Sequence, residues 1–237
     1  EWKLLITFGV VGVALMQWTY SYAVGYLPVG IALLFQYSAI IMVPIATFFI
    51  YKKKPQSSVW VGIAVVVSGL LVVSQIWTGG LNILGMIYGL ASAVFMTFYF
   101  ILGEHSHNNR DPISTLFYTL LISTVFWLVA SPWWQFDPAN LVKTVDLGGN
   151  LAGKGVPAFV MILWVGLMGS FMPMILSYTS LGHLSATVVS VISTAETVLA
   201  FLFGFLWLNE TISGIQMVGG LLVLTGIVWT QTARRSK

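Results

Sequence analysis

Glu196 is the residue of this sequence best placed to do chemistry, because it lies near the middle of a long apolar run with no other charge in it. A carboxyl in such surroundings takes up a proton, meets a cationic group, or hydrogen-bonds a neighbouring helix. Ser190 and Ser193, one turn away on the same helix pattern, are candidate partners for the last of these. Other polar and aromatic side chains interrupt separate apolar runs: Gln17, Trp18, Tyr20 and Tyr22 in one, Gln36 and Tyr37 in the next, and Tyr88, Ser92 and Tyr99 in a later one. An amide facing lipid leaves donors and acceptors unmet, so Gln17 and Gln36 are expected inside a bundle, as substrate contacts or as interhelical hydrogen bonds. Tyr88 and Ser92 share one face at helical spacing, with Tyr99 two turns beyond. Glu104, His105 and His107 cluster in one polar connection but lack a convincing further ligand, so no metal site is expected. Paired carboxylates, His–Asp arrangements and cysteines are absent, which removes the constellations an integral-membrane enzyme would need. No cofactor fingerprint is present, and nothing indicates nucleic acid.

The elements that must carry these residues follow from composition. Hydrophobic residues make up 58% and charged residues 7% of the chain, with a mean hydropathy of +0.92, so lipid rather than water is the main solvent. About 20 apolar helical residues span a hydrocarbon core of about 30 Å. Cutting at charges and at Pro, Gly and Asn clusters yields eight such stretches: 4–26, 28–51, 57–77, 82–103, 112–131, 157–181, 184–208 and 212–231. They are continuously apolar rather than alternating, which disfavours a β-barrel.

Orientation follows from Lys and Arg. Lys3, Lys52, Lys53, Lys54, Arg110, Arg234, Arg235 and Lys237 fall on one side, and only Lys143 and Lys154 fall on the other, in the long connection 132–156. The positive-inside rule therefore expects both ends in the cytoplasm of a bacterium, with the protein multi-pass in the inner (plasma) membrane. Trp133 and Trp134 read as interface anchors and the glycine-rich connection after them as a mobile external loop. Pro44 and Pro173 are expected to bend their helices, and Gly85 and Gly89 to serve packing.

The chain also repeats itself. The shift that lays Gly9 on Gly166 also lays Gly12 on Gly169, Gly25 on Gly182, Gly62 on Gly219 and Gly69 on Gly226, without a gap. Five spans separate the equivalent elements, and an odd number reverses direction, so the repeats are inverted. The expected fold is an all-α integral membrane bundle of two inverted five-helix repeats, with ten spans when complete and eight here. Residues 1–77 would be the last three spans of the first repeat and 78–237 the whole second repeat, leaving two spans expected ahead of residue 1. Inverted repeats that rock about a midplane site are a transporter design. No span contains Lys or Arg, which favours a neutral, zwitterionic or cationic small-molecule substrate over a phosphorylated one.

Several segments resemble the EamA-like branch of the drug/metabolite transporter superfamily. They are Tyr178-Thr179-Ser180-Leu181-Gly182, the helix bearing Glu196, Leu208-Asn209-Glu210 followed by Gln216 and Gly219, and Leu33-Leu34-Phe35-Gln36-Tyr37. The family places Pro after the mid-helix acid, where this sequence has Thr197, and many relatives carry Glu where it has Gln36. The resemblance implies secondary transport of a small metabolite, commonly amino-acid-like; the polar and aromatic residues of the spans supply the candidate site, Glu196, Gln17, Trp18, Tyr22, Gln36, Tyr88, Ser92, Tyr99 and Ser193. It leaves proton exchange and uncoupled facilitation as alternatives.

Overall fold

The structure is a computed structural model that describes residues 2–52, 55–77, 82–106, 111–208 and 213–235. Lys53, Lys54, His107, Arg110, Asn209, Glu210 and Lys237, which entered the topology and motif readings, lie outside the described residues. Each apolar stretch forms a helix, since lipid offers backbone groups no partner but one another. We number them α1 (Trp2–Tyr26), α2 (Val29–Tyr51), α3 (Ser57–Ser74), α4 (Ile83–Ser106), α5 (Pro112–Ala130), α6 (Ala158–Leu181), α7 (Ala186–Ser193 and Ala195–Leu208) and α8 (Gly214–Arg235). The first six are long and apolar enough to cross a membrane, and α7 and α8 carry shorter apolar stretches. Local signals set the ends. Pro112 opens α5 while the Asp111 carboxylate accepts the Ser114 N–H at 2.9 Å. Lys52 and Gln75 close α2 and α3 in the left-handed region, with φ of 56° and 46°.

The inverted repeat is visible in backbone geometry. Under the shift that carries Gly9 to Gly166, a π-helical stretch at Phe8–Leu15 in α1 falls on another at Val165–Phe171 in α6. The starts of α2 and α7, Val29 and Ala186, coincide, as do those of α3 and α8, Ser57 and Gly214. Pro173 follows the second π stretch, so the bend expected at that proline belongs to a feature α1 shares without one. Pro44 lies inside α2, where the Thr47 hydroxyl bonds its carbonyl at 3.0 Å.

Helices α3 and α8 form a seam. A Cβ at Gly69 would lie 2.8 Å from the Gly219 carbonyl oxygen, and one at Gly226 would lie 2.8 Å from that of Gly62. The low-numbered end of one helix thus meets the high-numbered end of the other, so the pair is antiparallel. The contacts are also self-consistent under the repeat: exchanging Gly62 with Gly219 and Gly69 with Gly226 returns the same pairs. Backbones this close gain dispersion contacts that lipid cannot outcompete. Elsewhere α1 packs on α4 and α5, and α4 also supports α2. Gly85 and Gly89 of α4 receive Leu27 and Phe35, so they serve packing within the chain.

The connection after α5 is built rather than loose, which corrects the expected mobile loop. Strands β1 (Thr144–Asp146) and β2 (Gly155–Pro157) pair antiparallel. Both oxygens of the Asp146 carboxylate are engaged, one by the Gly148 N–H at 2.7 Å and the other by the Gly153 N–H at 2.9 Å. These donors hold the Asp146 carboxyl below the usual carboxylate range. Gly148 and Gly153 supply the positive φ values, 65° and 81°, that the turn requires. Asn150 donates to the Leu206 carbonyl and the Trp207 indole to that of Leu147, which fastens the hairpin to the end of α7. We call this the hairpin side of the bundle and the opposite one the terminal side.

Candidate functional site

Of the four helices that carry candidate residues, α2 and α7 are both interrupted, and they pack against each other. In α2 the interruption is at Ser38, whose hydroxyl bonds the Phe35 carbonyl at 2.6 Å. In α7 it is at Thr194, whose hydroxyl bonds the Val191 carbonyl at 2.6 Å. A hydroxyl that bonds back to its own helix competes with the backbone ladder and bends it. The bend therefore precedes the acid and needs no proline at Thr197. It also relocates Glu196, which is not in mid-helix but in the first turn of the second half of α7.

The Tyr37 hydroxyl donates to Glu196 Oε2 at 2.5 Å. Tyr37 closes the first half of α2 and is 2% exposed, whereas Glu196 keeps an exposed side. From α1, the half-buried Tyr20 is an electrostatic neighbour of the same carboxylate. Ser190 and Ser193 do not partner Glu196, contrary to the alternative reading of that acid: their hydroxyls bond the Thr187 and Val189 carbonyls of their own helix.

The remaining candidates divide into three groups. Gln17 lies one turn before Tyr20 and is exposed, rather than inside the bundle as expected. Gln36 is buried and donates to the Ser92 hydroxyl at 3.0 Å, which in turn donates to the Met16 carbonyl at 3.3 Å, tying α2, α4 and α1 together. Trp18, Tyr22 and Tyr88 form an aromatic strip towards the hairpin side. Trp18 and Tyr22 ring centroids are 5.8 Å apart, those of Tyr22 and Tyr88 are 5.2 Å apart, and Tyr26 stacks on Tyr88.

On the terminal side the bundle is filled. The Phe8 ring sits 5.6 Å from Tyr99 and 5.8 Å from Tyr178, and all three are buried. Tyr178 and Ser106 hydroxyls lie 2.6 Å apart. The Tyr99 hydroxyl lacks a partner of good hydrogen-bond geometry, with the Ser177 hydroxyl as the polar group beside it. Glu104 Oε2 accepts the Ala186 N–H at 2.8 Å and so caps α7 from α4. Among the described residues no group of His, Asp and Glu is arranged to hold a metal.

Sequence reasoning singled out Glu196; it named Tyr20 and Tyr37 among the polar and aromatic residues of their spans but left them out of the site, and it read Glu104 only beside the histidines of its connection. The repeat itself carried the signal for Tyr37. Its shift lays Tyr37 on Thr194, and where two equivalent helices cross at equivalent points, the residues beside one break face those beside the other.

Comparison with known proteins agrees with this architecture. A family model described as the EamA-like transporter family matches residues 1–75 and 83–232. The threonine/homoserine exporter RhtA of Escherichia coli K12 is 20% identical over 239 residues, 99% of this chain and 74% of that protein. The uncharacterized transporter YwfM of Bacillus subtilis 168 is 21% identical over 189 residues, covering 79% of this chain and 59% of that one. A crystal structure at 17% identity superposes with a TM-score of 0.76 over 100% of this chain and 79% of its own, a likeness of fold. Eight apolar helices, an inverted repeat with a glycine seam and this match over nearly the whole sequence lead to one conclusion: the chain belongs to the EamA-like transporter family.

Proposed function

We propose that this protein moves a small neutral, zwitterionic or cationic metabolite, amino-acid-like in size, across the plasma membrane by alternating access. The observation that supports this most is the crossing of two discontinuous helices with an exposed carboxylate fixed at one of the breaks. Glu196 is the group that accepts a substrate ammonium or a proton. Gln17, Trp18, Tyr22 and Tyr88 line the approach from the hairpin side. Gln36, Ser92, Tyr99 and Ser193 form the frame around the site. The lysines and arginines put the termini in the cytoplasm, so the approach opens outward and the Phe8 layer closes the inner side. The threonine/homoserine activity in the name of the similar exporter fits an amino-acid-like class.

The test is substrate counterflow in proteoliposomes with amino acids and organic cations, comparing wild type with Glu196→Gln. Saturable exchange that the variant loses at unchanged folding is the expected result. Absence of exchange across the panel, with folded protein shown, would overturn the reading.

The same symmetry supports a division into 1–77 and 78–237 as parts of two repeats. Helix α1 packs on α4 and α5, and a Cβ at Gly9 would lie 2.8 Å from the Thr119 carbonyl oxygen of α5. Its equivalent Gly166 on α6 has nothing within 4 Å, and the most apolar stretch of α6 buries no residue. The equivalent helices of the two halves thus differ in how they are covered.

A further inference from the structure

We propose that the 143–157 hairpin is a clamp that joins the hairpin-side halves of α6 and α7 into one moving piece, a gate at the entrance to the bundle. This rests on the transport reading above. Both helices are discontinuous. Helix α6 runs regularly to Trp164, passes through its π-helical stretch at Val165–Phe171 and resumes at Met172, and α7 is interrupted at Thr194. The two irregularities lie at a similar depth. The turn that joins the helices follows Leu181 and precedes Ala186. At a rise of about 1.5 Å per residue, the π stretch ends about 15 Å from that turn and the break lies about 12 Å from it. A helix bends where its hydrogen-bond ladder is interrupted.

On one side of that depth the two helices are packed into the core, and on the other they are tied to each other. The terminal-side halves bury Tyr178, Leu181, Val189 and Val191, and that of α7 packs on α2 and α4, with Glu104 of α4 on the Ala186 N–H. The hairpin-side half of α6, Ala158–Trp164, buries no residue, and that of α7 packs on α8 and on the Gly149–Leu151 turn of the hairpin. The hairpin holds both. Strand β2 passes directly into α6, where the Ala158 N–H donates to the Lys143 carbonyl at 2.9 Å. At α7 the Asn150 amide donates to the Leu206 carbonyl at 2.7 Å and the Trp207 indole to the Leu147 carbonyl at 3.2 Å. The strand pairing and the Asp146 carboxylate, engaged at both oxygens, make the link stiff. Halves joined in this way swing about the two irregularities together, and they stand on the side from which the proposed site is reached.

The experiment measures distances between paired spin labels in proteoliposomes, together with counterflow, in a chain that has no native cysteine. Val145→Cys on β1 with Phe205→Cys on α7 reports within the clamp, and Val145→Cys with Val29→Cys at the start of α2 reports across the entrance; all three side chains are exposed. A substrate that exchanges in counterflow is expected to shift the Val145–Val29 distance and to leave the Val145–Phe205 distance unchanged. Asn150→Ala with Trp207→Phe removes both side-chain bonds. It should broaden the Val145–Phe205 distances and slow maximal exchange about tenfold, the equivalent of about one to two net hydrogen bonds. The distances in the otherwise unchanged chain serve if that double change does not fold. A Val145–Phe205 distance that moves with substrate, a Val145–Val29 distance that does not, or full exchange in the untied variant would overturn the clamp and leave the transport reading standing. No exchange by the folded protein across amino acids and organic cations would overturn both.

Discussion

The break in α2, at Ser38, and the break in α7, at Thr194, fall one residue apart under the shift that relates the rest of the two halves, and they carry different chemistry. Tyr37 corresponds to Thr194, and Glu196 corresponds to Ala39, which is fully buried. The backbone device is thus present twice and the acid once. A duplicated chain obtains its geometry by symmetry, from equivalent helix starts, matched π stretches and a seam that maps onto itself. The symmetry is broken where α2 and α7 meet, since the Tyr37 hydroxyl donates to the Glu196 carboxylate and the equivalent positions carry no such pair. The halves differ again at α1 and α6: α1 is covered by α4 and α5, whereas the most apolar stretch of α6 buries no residue.

Changes at the shared seam should have the largest effect. Gly69→Val places a branched side chain where a Cβ alone would lie 2.7 Å from the Val223 nitrogen, and overpacking of this kind should cost about 3 kcal/mol or more. Gly219→Val, its partner in the seam, should match it, and Gly25→Ala, with nothing within 4 Å, should not alter melting in detergent. The comparison of α1 with α6 comes next. Gly9→Ala should cost about 1–3 kcal/mol, and Gly166→Ala in this chain should cost nothing measurable by the same assay. Ser92→Ala, which cuts the link from Gln36 to Met16, should cost about 1 kcal/mol in the same assay.

The smallest effect is expected at the hairpin. The Asp146 carboxyl is depressed below its ordinary value, so its contribution is present above the unfolded pKa of 3.8 and is lost as pH falls through the lower folded value. Hydrogen exchange at the Gly148 and Gly153 amides should accelerate in that acid window, and in Asp146→Asn at neutral pH.

Much of this architecture was legible in the residues, for physical reasons. Span positions follow from apolar length, and the inverted repeat was carried by glycines, which tolerate no substitute where backbones touch. Glu196 stood out because a carboxyl is costly to bury in an apolar run. What remained hidden depended on local hydrogen bonding. The α7 break was not legible because it is made by the Thr194 hydroxyl and not by a proline. Ser193 looks like a partner by spacing, but its hydroxyl satisfies a carbonyl of its own helix. Tyr37 reads, like the other tyrosines, as a ring with a polar tip, and only the crossing of α2 with α7 reveals what that tip meets. The glycines of the 148–153 turn suggest looseness, whereas their positive φ values serve an ordered Asp146 turn.

The central claim is that the crossing of α2 and α7 is a site reached alternately from the two faces of the membrane. The absence of native cysteine permits a direct test with Gln17→Cys, on the exposed flank beside Tyr20. A membrane-impermeant thiol reagent would be applied to each face of sealed vesicles, with and without a substrate that exchanges in counterflow. The account predicts labelling from the hairpin side that falls when substrate is present on the opposite face and drives the site inward. Labelling that is indifferent to substrate on either face would contradict it.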